Sequence, residues 1–384
     1  LLAGKECQYS KSTQSLDSKQ EIMEQIKTKG YGAKAGLIDR FSKLAPMEFE
    51  RSAPKEDEVL IDILYCGVCH SDLHQVRNDW ANTIYPCVPG HEIVGKIVQA
   101  GSAVTKFAVG DTVGVGCMVD SCGKCHSCQE GDEQYCEGPV SWTATYNGYM
   151  KPDGSGYNTF GGYSTNIVVK ESFVLRIPDA LDIKAAAPIL CAGITTYSPL
   201  RHWDVKPGDK VGIAGLGGLG HMAVMLAKAM GAEVTVLTTK EDKRAAAEAL
   251  GAHQVILSND KGAIKENELT LDLILVTIPD AFDVNPYVTL LKRDGKLVTV
   301  GLLGPYKSPL NNMEIAMQRR TVAGSVIGGI RETQEVLDFC AEHGILPDIE
   351  MIDMKDVNDA YGRMMDEDVK FRFVIDMQSL KNEN

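Results

Sequence analysis

Two hydrophobic periodicities divide the chain. From about Gly30 to Asp179, apolar and polar residues alternate in short runs punctuated by Gly and Pro, as in Ile93 to Gln99, Asp111 to Cys117 and Tyr163 to Val169. A period of two marks half-buried strands, and its repetition at short spacing predicts a β-rich, barrel-like domain. Within it, Glu58 to Tyr65 sets Val59, Ile61, Ile63 and Tyr65 against Leu60, Asp62 and Leu64 before meeting Gly67. After Pro178 the pattern changes. An Ala-rich segment, Lys184 to Ala187, leads through Pro188 to Cys191, Gly193 and Thr195, and the turn Lys206-Pro-Gly-Asp209 follows. Apolar runs at Val211 to Ala214, Val234 to Leu237, Val255 to Leu257, Leu273 to Val276, Leu297 to Val300 and Val322 to Ala323 are then separated by helical patterns. Such alternation predicts a doubly wound α/β domain. Glu332 to His343 reads as a helix closed by Gly344, and Phe371 to Asp376 as a last strand that returns the chain to the first domain.

Length and charge narrow the classes. A chain of 384 residues exceeds one ordinary hydrophobic core, so two domains are expected. With 44% hydrophobic and 24% charged residues the composition is that of a soluble globular protein. A net charge of -13 disfavours nonspecific binding to nucleic acid or anionic membranes. No apolar run reaches the roughly 18 residues of a membrane span. The first residues, LLAGKECQYSKSTQSLDSKQ, are polar and hold no apolar core for a secretory signal. Met23 is a candidate start, and residues 1–29 are expected to form a mobile extension. Eleven cysteines, most of them between Cys66 and Cys136 at short gaps, suit metal binding in a reducing compartment better than a disulfide framework. A cytoplasmic protein is expected.

The chemistry concentrates first between Cys66 and Glu92, CGVCHSDLHQVRNDWANTIYPCVPGHE. Cys66, Cys69, Cys87, His70, His74 and His91 are possible metal ligands, with Asp72 and Glu92 to orient them. A catalytic zinc takes three protein ligands and keeps one position open. Cys69 and His91, completed by Cys191, would suffice, while Cys66 and Cys87 read as small buried hydrophobes. A second concentration is Cys122, Cys125, Cys128 and Cys136, a C-x2-C-x2-C-x7-C array. Four thiolates at this spacing suit a closed, tetrahedral structural zinc. The iron–sulfur alternative continues x3-C-P after the third Cys, whereas here the gap is seven and Glu137 follows Cys136.

The third feature is the turn Gly215-Leu216-Gly217-Gly218-Leu219-Gly220, between a predicted strand and the apolar helix Leu219 to Met230. Backbone amides at that helix start can receive a pyrophosphate. An NAD site would carry Asp or Glu at the end of the next strand, but this chain reads Thr238, Thr239, Lys240, Glu241, Asp242, Lys243. Two hydroxyls and nearby lysines suit the 2′-phosphate of NADP(H). Glu241 and Asp242 pull toward NAD, and Thr238 with Glu241 could instead form a helix capping box.

Together these residues resemble the zinc-containing medium-chain alcohol dehydrogenases, in the cinnamyl alcohol dehydrogenase branch with its broad-specificity NADPH-dependent aldehyde reductases. The marks are CGVCHSDLH at 66–74, PGHEIVG at 89–95, the four-Cys lobe, LCAGITTYSPL at 190–200, GLGGLG and SVIGG at 325–329. The resemblance implies a GroES-like β-rich catalytic domain, residues 30–190 and 327–384, with a zinc lobe at about 117–140, and a Rossmann NADP-binding domain, residues 191–326. It implies two zinc ions: one catalytic on Cys69, His91 and Cys191, with Asp72 orienting the ring of His91 and Glu92 nearby, and one structural on the four-Cys lobe. Ser71 and His74 match a proton relay. His70 and Arg372 match positions at the pyrophosphate and Thr195 one beside the nicotinamide, while Val300 and Ile327 match further cofactor positions, as do the glycine loop, Thr238, Thr239 and Lys243.

Trp80, Met118, Trp142, Leu302 and Ile327 match pocket positions whose aromatic and thioether walls suit bulky or aryl aldehydes. The stretch WTATYNGYMKPDGSGYNTF, 142–160, departs from the plant members. The implied activity is hydride transfer between NADP(H) and an aldehyde or primary alcohol, with a homodimer as the expected assembly. Alternatives are an NAD-dependent alcohol dehydrogenase, a non-enzymatic zinc-binding module, and quinone or enone reduction, the last of which would go without the set Cys69, His91 and Cys191.

Overall fold

Strand Glu58–Val68 is the spine of the first half, since Val59, Ile61 and Ile63 are fully buried on one face. A computed structural model of the protein describes residues 25–35, 43–300, 305–366 and 371–381. The spine pairs antiparallel with Ile93–Ala100, Asn166–Lys170 and Arg372–Asp376. The sheet extends through Thr112–Val115 to Leu175–Arg176 on one side and through Arg372–Asp376 to Ile349–Asp353 on the other. The last strand therefore returns to the first sheet, with Ile375 opposite Cys66 and Phe373 opposite Val68.

Residues 25–29, expected in the mobile extension, instead belong to strand Gln25–Gly32, which pairs antiparallel with Ala45–Ser52. Thr28 is buried in that pairing and its hydroxyl donates to Asn166 Oδ1 at 3.0 Å, which ties the segment to the main sheet. Residues 1–24 and Met23 with them lie outside the described residues.

The second half holds a six-stranded parallel sheet in the order Gln254–Leu257, Glu233–Thr238, Lys210–Ala214, Leu271–Val276, Leu291–Val300, Thr321–Ser325. Strand order reverses between Lys210–Ala214 and Leu271–Val276, where an open α/β sheet leaves a crevice at its carboxyl ends. Helices such as Gly218–Ala229 and Ala192–His202 cover the sheet because their apolar faces have no other burial. One core cluster joins Val211, Ile213 and Val298 of this sheet with Val94, Leu175 and Val374 of the first. Among the described residues no helix is long and apolar enough to cross a membrane.

Candidate active site

Asp72 is the hub of the first cluster. It sits fully buried in the first turn of helix His70–Arg77, directly after the spine strand. Its Oδ2 accepts from the backbone N–H of Cys69 at 2.9 Å and from the hydroxyl of Tyr163 at 3.3 Å. Its Oδ1 accepts from the backbone N–H of Gly90 and from Nδ1 of His91, both at 2.9 Å. One carboxylate thus fixes two candidate ligands that lie 22 residues apart in the chain, Cys69 and His91. Because Nδ1 of His91 is committed to Asp72, Nε2 is left to bind a metal.

That Nε2 lies 3.2 Å from Sγ of Cys191, at the start of helix Ala192–His202. The ligand atoms of Cys69, His91, Glu92 and Cys191 all fall within 4.8 Å of one another, and all four residues are buried. Zinc–sulfur bonds of about 2.3 Å and zinc–nitrogen bonds of about 2.0 Å imply ligand separations on the order of 3.5 Å, so the donor set fits zinc. A hydrogen bond with Cys191 holds the Cys69 thiol well below its ordinary pKa against the opposing effect of burial. For His91 burial is the largest single influence and disfavours the cation, but the Asp72 carboxylate with the Cys117 and Cys69 sulfurs together raises the ring well above its usual range.

The structure also brings three residues to this site that the motifs did not single out. Cys117, after strand Thr112–Val115, stands beside Cys191 and shares a hydrogen bond with it. Tyr146 packs its ring 5.5 Å from that of His91. Tyr163 completes the Asp72 hub. Their signal in the sequence is slight, because each arrives through folding of the 142–163 segment or the end of a strand, with no ligand spacing to mark it.

The four-Cys lobe is equally assembled. Cys125 and Cys128 are 3.4 Å apart, Cys122 and Cys128 3.9 Å, and Cys125 and Cys136 4.0 Å. A tetrahedral zinc–thiolate site spaces its sulfurs by about 3.8 Å, and a disulfide would bring them to about 2.05 Å, so these distances fit a metal. Backbone N–H groups of Lys124 and Cys125 hold the Cys122 thiol down to about 6.

Arg372 links the metal cluster to the glycine loop. Its guanidinium pairs with the buried carboxylate of Glu92, and a Cβ on Gly218 would sit 2.9 Å from its Nη1. Gly215 has φ 96°, which permits the tight turn, and a Cβ on Gly220 would fall 2.1 Å from the Gly215 carbonyl, so only glycine lets helix and strand approach there. Thr277 braces the turn by donating to the carbonyls of Ala214 and Gly215 at 3.0 and 3.1 Å. The carboxyl ends of the strands ending in Ala214, Thr238, Val276 and Val300 lie side by side, so the loop, Thr238 and Val300 face one crevice edge.

The expected capping box of Thr238 and Glu241 is not formed. Thr238 Oγ1 accepts from the N–H of Lys240 at 3.2 Å, and the carboxylate of Glu241 is held by Arg244 at 2.5 and 3.0 Å. The helical segment opens with a 3-10 turn, Glu241–Lys243, whose N-cap is Lys240, and continues as an α-helix from Arg244, so the Thr238 hydroxyl lies two residues upstream of the cap position.

Of the remaining candidates, Ser71 and His74 share helix His70–Arg77, three residues apart and so on one face. His74 Nδ1 bonds Asp79 at 2.8 Å and its ring lies 5.6 Å from that of Trp80. Thr195 is buried on helix Ala192–His202. Thr239 is exposed and Lys243 half-buried. Met118 is packed within the catalytic-half core, against which Trp142 and Ile327 lie partly buried. Leu302 lies outside the described residues.

Comparison with known proteins agrees with this geometry. The family model for the alcohol dehydrogenase GroES-like domain matches residues 55–179, and that for the zinc-binding dehydrogenase matches residues 218–342. Aldehyde reductase YahK of Escherichia coli is 55% identical over 90% of this chain and 98% of its own length. A cinnamyl alcohol dehydrogenase of Sorghum bicolor superposes with a TM-score of 0.87 at 41% identity, over 94% of this chain and all of that one. A cinnamyl alcohol dehydrogenase of Helicobacter pylori, solved with NADP(H), gives 0.84 at 42% identity, over 92% of this chain and 99% of that one. With both family models matched in order and relatives aligned along nearly their whole lengths, the chain belongs to the zinc-containing medium-chain alcohol dehydrogenase family, in its cinnamyl alcohol dehydrogenase and aldehyde reductase branch.

Proposed function

We propose that the chain is an NADPH-dependent reductase of aldehydes, bulky and aryl ones included, that also oxidises the corresponding primary alcohols. The observation that carries this reading is the Arg372–Glu92 pair, which ties the cluster of Cys69, His91 and Cys191 to the glycine loop at Gly218. When bound, zinc supplies a Lewis acid for the carbonyl oxygen and NADPH supplies the hydride. Cys69, His91 and Cys191 would hold the catalytic zinc, with Asp72 fixing the first two, and Cys122, Cys125, Cys128 and Cys136 the structural one. Ser71 is the group that gives a proton to the substrate oxygen, and His74, steadied by Asp79, exchanges protons with solvent. Trp80, Trp142 and Ile327 form apolar walls that exclude water and accept a wide side group.

The glycine loop would receive the pyrophosphate with His70 and Arg372 beside it, and Thr195, Val300 and Ile327 would border the nicotinamide. Selectivity for the 2′-phosphate rests on Thr238, Thr239 and Lys243. The bidentate pairing of Glu241 with Arg244 supports it, since that acid is neutralised by a neighbour. Relatives of about half identity in Mycolicibacterium smegmatis are named NADP-dependent alcohol dehydrogenases, which supports the same cofactor. The reading places the enzyme in the cytoplasm, where thiolate metal sites stay reduced. A homodimer goes with it, supported by the edge strand Thr321–Ser325 and the neighbouring Met313 and Met317, 71% and 74% exposed.

The test is metal analysis of the pure protein followed by steady-state rates on a panel of aldehydes with NADPH and NADH. Two zinc per chain and NADPH-dependent reduction of aryl and long-chain aldehydes are expected. A protein without zinc, or one that binds an oligonucleotide tightly and NADPH not at all, would sink the proposal.

A further inference from the structure

Ile327, in the turn between strand Thr321–Ser325 and helix Ile330–His343, has φ 40°. A β-branched residue in the left-handed region is strained, and it stays there only where its surroundings over-determine it. The surroundings here are the four-Cys lobe. Glu133, between Cys128 and Cys136, accepts from the N–H of Ile330 at 3.0 Å through Oε2, which supplies the acceptor for the first turn of the 14-residue helix. Arg331 Nη2 donates to the carbonyl of Glu130 at 2.7 Å, a second tie between helix and lobe. The carbonyl of Gly131 stands so close to Gly329 that a Cβ there would lie 1.7 Å from it. On its other flank the turn meets the helix that follows Cys191, where a Cβ on Gly328 would lie 2.5 Å from Ile194 Cδ1.

We infer that the four-Cys lobe is a clamp on this turn: Glu133 is a positioning residue that, with Arg331, holds Ile327 in its strained conformation and so sets the cofactor side of the cleft. The cofactor half of this inference rests on the proposed NADPH site. The lobe lies far from the glycine loop in sequence and needs no contact with the nucleotide to act. It fixes the backbone that carries Ile327, and a zinc on Cys122, Cys125, Cys128 and Cys136 would keep Glu133 and Gly131 in place.

The experiment uses the zinc-loaded full chain and reads amide hydrogen exchange over residues 328–331, zinc content, and the NADPH dissociation constant by fluorescence. Glu133→Ala should speed exchange at Ile330 and raise the dissociation constant, each by about fivefold, the usual scale for a lost helix cap. Both zinc ions should be kept. Glu133→Gln, whose amide oxygen can still accept, should fall between, and Glu130→Ala, which spares the backbone carbonyl, should match the unaltered chain. Arg331→Met tests the clamp from outside the lobe and should move both readouts as Glu133→Ala does. Unchanged exchange in Glu133→Ala and Arg331→Met overturns the clamp, and faster exchange with unchanged NADPH binding overturns its link to the cofactor. Loss of zinc in Glu133→Ala, with Arg331→Met silent, also overturns it. An unaltered chain that fails to bind NADPH overturns the cofactor reading itself and the cofactor half of this inference, while the exchange result still decides the clamp.

Discussion

The guanidinium of Arg372, on the last strand, pairs with the carboxylate of Glu92, the residue after His91, and both side chains are at least 95% buried. Two charges out of water stabilise each other only as a pair, and among the described residues Glu92 Oε2 and Arg372 Nε have no hydrogen-bond partner. Arg372→Gln should therefore destabilise the fold by about 3 kcal/mol, because it strands a buried carboxylate. Adding Glu92→Gln should recover much of that loss. Urea unfolding of the two single variants and the double variant measures the coupling, and additive losses would show that the pair is not a unit.

The two metal clusters should respond oppositely to losing a ligand. Cys191→Ala removes a donor from the cluster at the helix start and should abolish turnover with the fold and one zinc retained. Cys125→Ala opens the lobe and should lower stability by several kcal/mol, because binding free energy at a closed site is folding free energy. Zinc content and melting temperature of both variants decide this, and a Cys125→Ala protein with full zinc and unchanged melting would contradict it.

Cofactor choice depends on where Glu241 points. With its carboxylate held by Arg244, NADPH should be preferred to NADH by at least ~10-fold in kcat/KM, since one charge-assisted phosphate contact is worth ~1.5 to 3 kcal/mol. Arg244→Ala should free Glu241 and narrow the preference. Thr239→Asp should shift it toward NADH, because a carboxylate accepts from ribose hydroxyls and repels a phosphate. Steady-state rates with both cofactors are the measurement, and equal efficiency in the unaltered enzyme would mean that an acid already faces the ribose.

The parts of the molecule that could be read in advance are those whose cause is local. Strand Lys210–Ala214 and its parallel partners appear as apolar runs because each is covered on both faces, and Gly344 ends its helix in the left-handed conformation that glycine adopts at least cost. Ligand residues were legible because metal chemistry restricts their types and spacing. Tyr146, Cys117 and Tyr163 were not, since each reaches His91, Cys191 or Asp72 only after distant strands close. Gln25 to Lys29 were also misplaced: they are held by pairing with Ala45–Ser52, which no local pattern announces. The clamp on Ile327 belongs to the same class, because the lobe and the turn are separated by almost 200 residues.

His221 sets an acid limit on stability. It is fully buried on helix Gly218–Ala229, where it stacks on Phe371 with ring centroids 4.6 Å apart and the backbone of Gly217 and Gly218 only partly offsets the cost of charging the ring. Burial lowers its pKa from 6.5 to about 4. Between those values the unfolded chain binds the proton and the folded one does not, so stability is complete above pH 6.5 and declines as pH falls toward 4. From pH 7.5 to 5 this one group should cost about 2 kcal/mol. His221→Leu removes the titrating ring while keeping an apolar contact for Phe371, so its stability should fall less over the same interval. Urea unfolding of zinc-loaded protein at both pH values gives the comparison. Parallel losses in the variant and the unaltered chain would show that the acid sensitivity arises elsewhere and that the folded protein accepts a proton at His221 without penalty.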